Sequence, residues 1–149
     1  MDSANKEKVA TGLSKLLADT FTLYLKTHKF HWNVKGPFFQ MFHGLFGSQY
    51  EEMWEAVDEI AERIRQLGLQ APGSYKEYMS LTTIQESIDS PRAEAMLVQL
   101  VADQNSIIKT CEDLFTLASE AGDQATADLL IQRMKAHEKQ VWMLRSHLE

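Results

Sequence analysis

"HWNVKGPFFQMFHGLFGSQYEEMWEAVDEIAERI", residues 31–64, decides how this chain folds. A break falls inside it at Lys35, Gly36 and Pro37, where proline suits the first turn of a new helix. Beyond the break, Phe46, Tyr50, Met53, Val57, Ile60, Ile64 and Leu67 recur at alternating spacings of four and three. That is the stripe of a helix packed along one side. The spacing predicts a helix to about Leu67, where Gly68 and then Ala71–Ser74 stop it.

Working outward from this stretch, Val9, Leu13, Leu16, Leu17, Tyr24 and His31 fall near one face and predict a first helix over residues 6–34. Residues 75–90 read as a connector with one short helix at "YKEYM". A third long helix is expected from near Pro91, capped by Ser90, with Leu97, Leu100, Val101, Ile108, Cys111, Phe115 and Ala118 inward. Gly122 ends it, and a fourth runs from Asp123 to His147 with Leu130, Met134, His137, Val141 and Leu144 on one side. Four long helices with three breaks predict an all-α four-helix bundle, one domain over residues 1–149. The 68–90 connection can cross the length of the bundle, which would let the middle two long helices run parallel.

A chain of 149 residues can bury a real core. Its formal charge of −6 offers no general basicity for nucleic acid. The one cysteine, Cys111, excludes an intrachain disulfide and a cysteine-rich zinc site, and fits a reducing compartment. "MDSANKEKVA" lacks the apolar core of a signal peptide, and no later run is long and uncharged enough to span a bilayer. These features predict a soluble, cytoplasmic protein.

The second helix also carries chemistry. At about 100° per residue, His43, Gly47, Trp54, Asp58 and Glu62 share a flank beside the apolar stripe. Gly44 and Gly47 sit mid-helix at a cost of roughly 1 kcal/mol each against alanine, which close approach by another backbone would offset. His43 and Asp58 lie about 22 Å apart along one helix, at about 1.5 Å per residue. They cannot hold one metal ion within a subunit. An antiparallel copy of the helix, related by a twofold axis near residues 51–52, would set His43 opposite the partner's Asp58 and Glu62. His31, about a turn before the break, would join His43 at the same end. Two histidines from one subunit and two carboxylates from the other would make two identical sites per dimer. Imidazole with carboxylate suits iron(II), manganese or zinc. Each residue also has a plainer reading. His31 could be a hydrogen-bonded interior histidine, His43 a surface residue, and Asp58 and Glu62 part of a solvated face. His28 lies one turn before His31 and suits a supporting place beside the site, while Trp32 and Trp54 read first as packing and second as supporting residues that could intercept stray oxidising equivalents.

"HWNVKGPFFQMFH" followed by "VDEIAERI" resembles the signature of the Dps family, the miniferritins first described as DNA-binding proteins from starved cells. The likeness continues in "LKTHKFHWNVKGP", "APGSYKEY" and "WMLRSHL". It implies ferritin-like bundles assembled into hollow dodecamers of tetrahedral symmetry. These would oxidise iron(II) at dimer-interface sites with hydrogen peroxide or oxygen, store it as a ferric mineral and protect against oxidative damage. The matching catalytic and metal-binding residues are His31 and His43 of one subunit with Asp58 and Glu62 of its neighbour. Two irons would fill a loaded site, zinc could substitute for iron in a crystal, and Trp32 matches the family's tryptophan beside the site. Asp123 and Asp128, in "AGDQATAD", match the region lining threefold pores through which iron would pass. The plainer reading makes Asp123 a helix cap.

One position departs from the pattern. Many family members carry a carboxylate four residues after the second histidine, where this chain has Gly47. A water or Glu51 is left to complete the second iron position. In the antiparallel pair that sets His43 against Asp58, Gly47 faces the partner's Trp54, so that indole is expected to fill the gap. The resemblance also leaves a DNA-compacting role as the alternative to iron oxidation, and a metal-free structural bundle as a third reading. DNA binding in the family often uses a lysine-rich tail. Here Lys6 and Lys8 are offset by Asp2 and Glu7, and twelve copies at −6 each carry about −72, so phosphate contacts have little electrostatic support.

Overall fold

The computed structural model describes residues 1–149 and contains five helices and no strand. Helix α1 (Ser3–Asn33) starts where the Asp2 carboxylate accepts a hydrogen bond from the Asn5 N–H, and it stops at the extended Val34. Gly36, at φ 115°, then turns the chain through a backbone region that side chains disfavour. Helix α2 (Phe39–Gln66) begins two residues after Pro37, so the proline shapes the turn and does not enter the helix as predicted. Helix α3 (Tyr75–Leu81) is the expected short helix. Ser74 accepts from the Glu77 N–H, and the Glu77 carboxylate reaches back to the Gly73 N–H. Helix α4 (Ala93–Glu120) starts later than expected, with Arg92 at its cap position and no capping side chain, so Ser90 is not the cap. Helix α5 (Gln124–Arg145) is capped by Asp123. No helix is long and apolar enough to cross a membrane.

Cross-helix pairs define the topology. Gly12 lies against Leu114, and Lys26 pairs with Asp103 at 2.7 Å, so α1 and α4 run antiparallel. Arg63 pairs with Asp123 and Glu52 with Arg133, which makes α2 and α5 antiparallel as well. With α2 folded back on α1, the two middle long helices run parallel, as a crossover connection allows. That connection is tied to α1. The buried Asp19 carboxylate accepts from the Thr82 hydroxyl and the Thr83 N–H, both at 2.7 Å, and Lys26 donates to the Gln85 carbonyl at 2.9 Å.

The core is the apolar seam of the four long helices, including Leu13, Leu16, Leu17, Phe30, Phe46, Met53, Ile60, Ile64 and Leu100. In α4 the inward residues are Ile107 and Leu114, while the predicted Ile108 and Phe115 are half-buried. The stripe passes through Gln104, which is fully buried and breaks the apolar pattern. Gln104 belongs to a polar network inside the bundle. His137 Nδ1 donates to its carbonyl oxygen at 2.5 Å, and its amide donates to Gln140. His137 Nε2 accepts from Arg133 at 3.0 Å, and Arg133 makes a two-pronged pair with Glu52. An arginine can only donate, so His137 must keep a lone pair on Nε2 and stay neutral. Burial, helped by the neighbouring Arg133 charge, pushes its pKa well below the ordinary 6.5.

Candidate metal centre

The reversal at residues 34–38 brings the last turn of α1 alongside the first turns of α2. This joins His31 and His43. Their rings stack with centroids 3.7 Å apart and planes 16° from parallel. His31 Nδ1 donates to the His43 carbonyl at 2.6 Å, and His43 Nδ1 donates to the His31 carbonyl at 2.7 Å. The His31 carbonyl is among the last four of α1, which have no donor within the helix, so His43 satisfies a group the fold would otherwise leave to water. Carbonyls only accept, so both protons sit on Nδ1. In the neutral ring this tautomer leaves the Nε2 lone pair free, the form a metal ligand needs. Both residues are half-buried.

Gly47 completes the clasp. A Cβ there would lie 3.2 Å from both Cε1 and Nδ1 of His31. The gap is filled by the subunit's own imidazole, so the expectation that a partner's Trp54 fills it is wrong. Trp54 leans instead on Tyr24 of its own α1, with ring centroids 5.1 Å apart, and remains 57% exposed. Levels counted along one pair of helices do not include the ring that enters from α1.

His28 stands edge-on to His31 at 5.9 Å, stacks on Tyr50 at 3.8 Å and lies 4.0 Å from the Trp32 ring. Its Nδ1 is hydrogen-bonded to the Tyr24 hydroxyl at 3.1 Å. Burial, and then the neighbouring His31, lower its pKa. Trp32 is 60% exposed beside this group. The cluster of Tyr24, His28 and Tyr50 is the part that sequence reasoning missed as a unit. Both tyrosines were assigned to packing stripes, although the four-residue spacing of Tyr24 and His28 places them on one helical face.

Asp58 and Glu62 are exposed one turn apart on α2, far from the histidines. The Asp58 charge, and its hydrogen bond to Glu62, raise the Glu62 pKa. Two carboxylates held this close favour a shared proton or a cation between them. Within the subunit no three His, Cys, Asp or Glu residues converge on a point where a metal could bind. The nitrogen pair and the oxygen pair remain separate. Glu51, the possible substitute ligand, is exposed on α2.

Asp123 does not offer a free carboxylate to a pore. It accepts from the Thr126 N–H at 3.1 Å and pairs with Arg63 at 2.8 Å, and it is only 5% exposed. Desolvation raises its pKa, but the bonds from Thr126 and the Arg63 charge outweigh this and hold it below the ordinary carboxylate value. The capping role occupies the group, while Asp128, beyond the first turn of α5, is exposed.

With this geometry in place, comparison with known proteins assigns the lineage. Residues 10–149 match the ferritin-like domain family. A low temperature-induced protein of Nostoc is 40% identical over 146 residues, spanning 97% of this chain and 82% of that protein. DNA protection during starvation protein 2 of Bacillus anthracis is 36% identical over 144 residues, spanning 97% and 98% of the two chains. The crystal structure of the Dps protein of Vibrio cholerae, described as a member of a broad superfamily of ferritin-like diiron-carboxylate proteins, is similar at a TM-score of 0.97. It shares 32% identity across 100% of this chain and 94% of that one. These matches extend over nearly the whole chain, and the chain belongs to the Dps family of ferritin-like proteins.

Proposed function

We propose that this protein oxidises iron(II) and stores the ferric product inside a shell of its own copies, a dodecamer built from twofold dimers. Iron storage and protection are the general function that membership of the Dps family brings. The finer reading places each oxidation site between two subunits, where His31 and His43 of one meet the partner's Asp58 and Glu62. The observation that carries it is the clasp. Two imidazoles are locked by their Nδ1–H bonds with Nε2 left for a metal, while the carboxylates that would complete the site begin about 22 Å from His43 along α2. A second copy supplies what one subunit cannot.

Iron is the substrate of this chemistry. Nitrogen ligands hold iron(II), carboxylate oxygens favour iron(III), and a site with so few protein ligands leaves room for hydrogen peroxide. Two iron(II) ions reduce one peroxide to two hydroxides without releasing a radical. The donor set alone also admits manganese and zinc, but the diiron-carboxylate superfamily of the Vibrio cholerae relative favours iron.

The test is the double variant His31→Ala with His43→Ala. Rapid iron(II) oxidation by peroxide should be abolished, with the assembly unchanged in size by light scattering, because the core seam and not the clasp holds the bundle together. Wild-type oxidation kinetics in the assembled variant would remove these histidines from the mechanism. DNA protection, named in the Bacillus anthracis relative, is the second reading. A gel shift at low and physiological salt tests it, and the −6 charge of each chain predicts no retardation at physiological salt.

A further inference from the structure

We propose that Tyr24 is a redox-active tyrosine serving the iron site, giving up an electron while its phenolic proton passes to Nδ1 of His28. The inference rests on the iron-oxidising reading above and adds a second electron source within the protein.

Phenol oxidation is easy when the proton has somewhere to go, because loss of the electron makes the hydroxyl a very strong acid. Of the four tyrosines, Tyr24 alone is hydrogen-bonded to a nitrogen base, at 3.1 Å from His28 Nδ1. Tyr78 donates to the Pro72 carbonyl, which cannot take up the proton. Tyr24 is also connected to the site through rings in contact. His31 lies 5.2 Å from Tyr50, and Tyr50 lies 6.0 Å from Tyr24. His28 stacks on Tyr50 at 3.8 Å while holding the Tyr24 hydroxyl. No step in this path leaves an aromatic group.

The departure at Gly47 gives the relay a purpose. The carboxylate that the resemblance places there in many family members is absent from this chain, and a Cβ would already press on His31, so on this reading the chain provides one ligand fewer for a second iron. A single iron(II) delivers one electron to peroxide and cleaves the O–O bond to one hydroxide and one hydroxyl radical. Tyr24 supplies the second electron, which converts that radical to a second hydroxide. Its O–H bond breaks and an N–H bond forms on His28. The next iron(II) returns an electron to the phenoxyl oxygen as His28 returns the proton. The sum is two iron(II) and one peroxide giving two iron(III) and two hydroxides, with Tyr24 and His28 restored.

Two arms test this. In the first, the iron-free assembled protein is oxidised by a flash-quenched ruthenium tris-bipyridine, and the radical is read by electron paramagnetic resonance with ring-deuterated tyrosine. The wild type should give a tyrosyl signal that narrows on deuteration. Tyr24→Phe should lose most of it, His28→Gln should reduce it several-fold, and Tyr75→Phe should leave it unchanged. In the second, one iron(II) per subunit is mixed with peroxide and freeze-quenched. The wild type should show the same tyrosyl signal, and Tyr24→Phe should instead yield more spin-trapped hydroxyl radical. A wild-type tyrosyl signal in Tyr24→Phe, in either arm, overturns the proposal. So does an unchanged yield in a folded His28→Gln protein. If the wild type fails to oxidise iron at all, the iron-oxidising reading falls, while the ruthenium arm still decides whether Tyr24 and His28 form a redox pair.

Discussion

Acid should destabilise this fold through His137, and the amount follows from its hydrogen bonds. The ring is fully buried, donates to Gln104 and accepts from Arg133, so the folded state has no position for a second proton. In the unfolded chain the same ring titrates near 6.5. The folded pKa is depressed, so between the two values the unfolded state binds more protons, and stability falls as pH falls below about 6.5. While the folded ring stays neutral, the loss is RT ln(1 + 10^(6.5−pH)). This is about 1.4 kcal/mol per subunit at pH 5.5 and about 2.7 kcal/mol at pH 4.5. His137→Gln keeps a donor for Gln104 and an acceptor for Arg133 but has no proton to gain. Urea unfolding of both proteins at fixed protein concentration, from pH 7.5 to 4.5, isolates the term, because the other titrating groups cancel in the difference. A flat difference across that range would refute the neutral buried ring.

Other perturbations follow from the same contacts. Asp123→Ala removes the α5 cap and strands Arg63, and should cost about 2 kcal/mol by urea midpoint, with Asp123→Asn costing less. Gly12→Ala puts a methyl 2.4 Å from the Cδ1 of the buried Leu114, so overpacking of about 1–3 kcal/mol should exceed the helix-propensity gain of about 1 kcal/mol, and a net gain in melting temperature would contradict this. Nitrogen-15 spectra of the iron-free protein should show His31 and His43 protonated on Nδ1. Gly47→Ala should disturb the His31 pattern, and Nε2–H tautomers in the wild type would undo the clasp.

The bundle was legible because Phe46, Met53, Ile60 and Ile64 repeat at helical spacing and Gly36, Gly68 and Gly122 interrupt the chain where it turns. In α4 the hydropathy pattern marks Leu97, Leu100, Cys111 and Ala118 correctly but points to Ile108 and Phe115 in place of the buried Ile107 and Leu114, because Gln104, polar and buried, is invisible to it until its partners from another helix are known. The separation of the histidines from Asp58 and Glu62 could be worked out from helical rise alone. The clasp could not, since it depends on backbone carbonyls crossing a turn. Gly47 was read as a missing ligand facing a second chain, whereas its own His31 lies over it. Asp123 matched a pore region by position, and only the Arg63 side chain, sixty residues distant in sequence, reveals that it is already committed.

The clasp spans twelve residues, whereas the bonds fastening the crossover to α1 span 58–64. Short loops close first, since the chain entropy to be overcome is smaller. A chain emerging from the ribosome can thus join its two histidines before α4 exists. With the ligands divided between subunits as proposed, that early half-site lacks carboxylates and stays inert. Neither a nascent chain nor a stray monomer would turn over peroxide, and oxidation would begin only once there is a shell to contain its product.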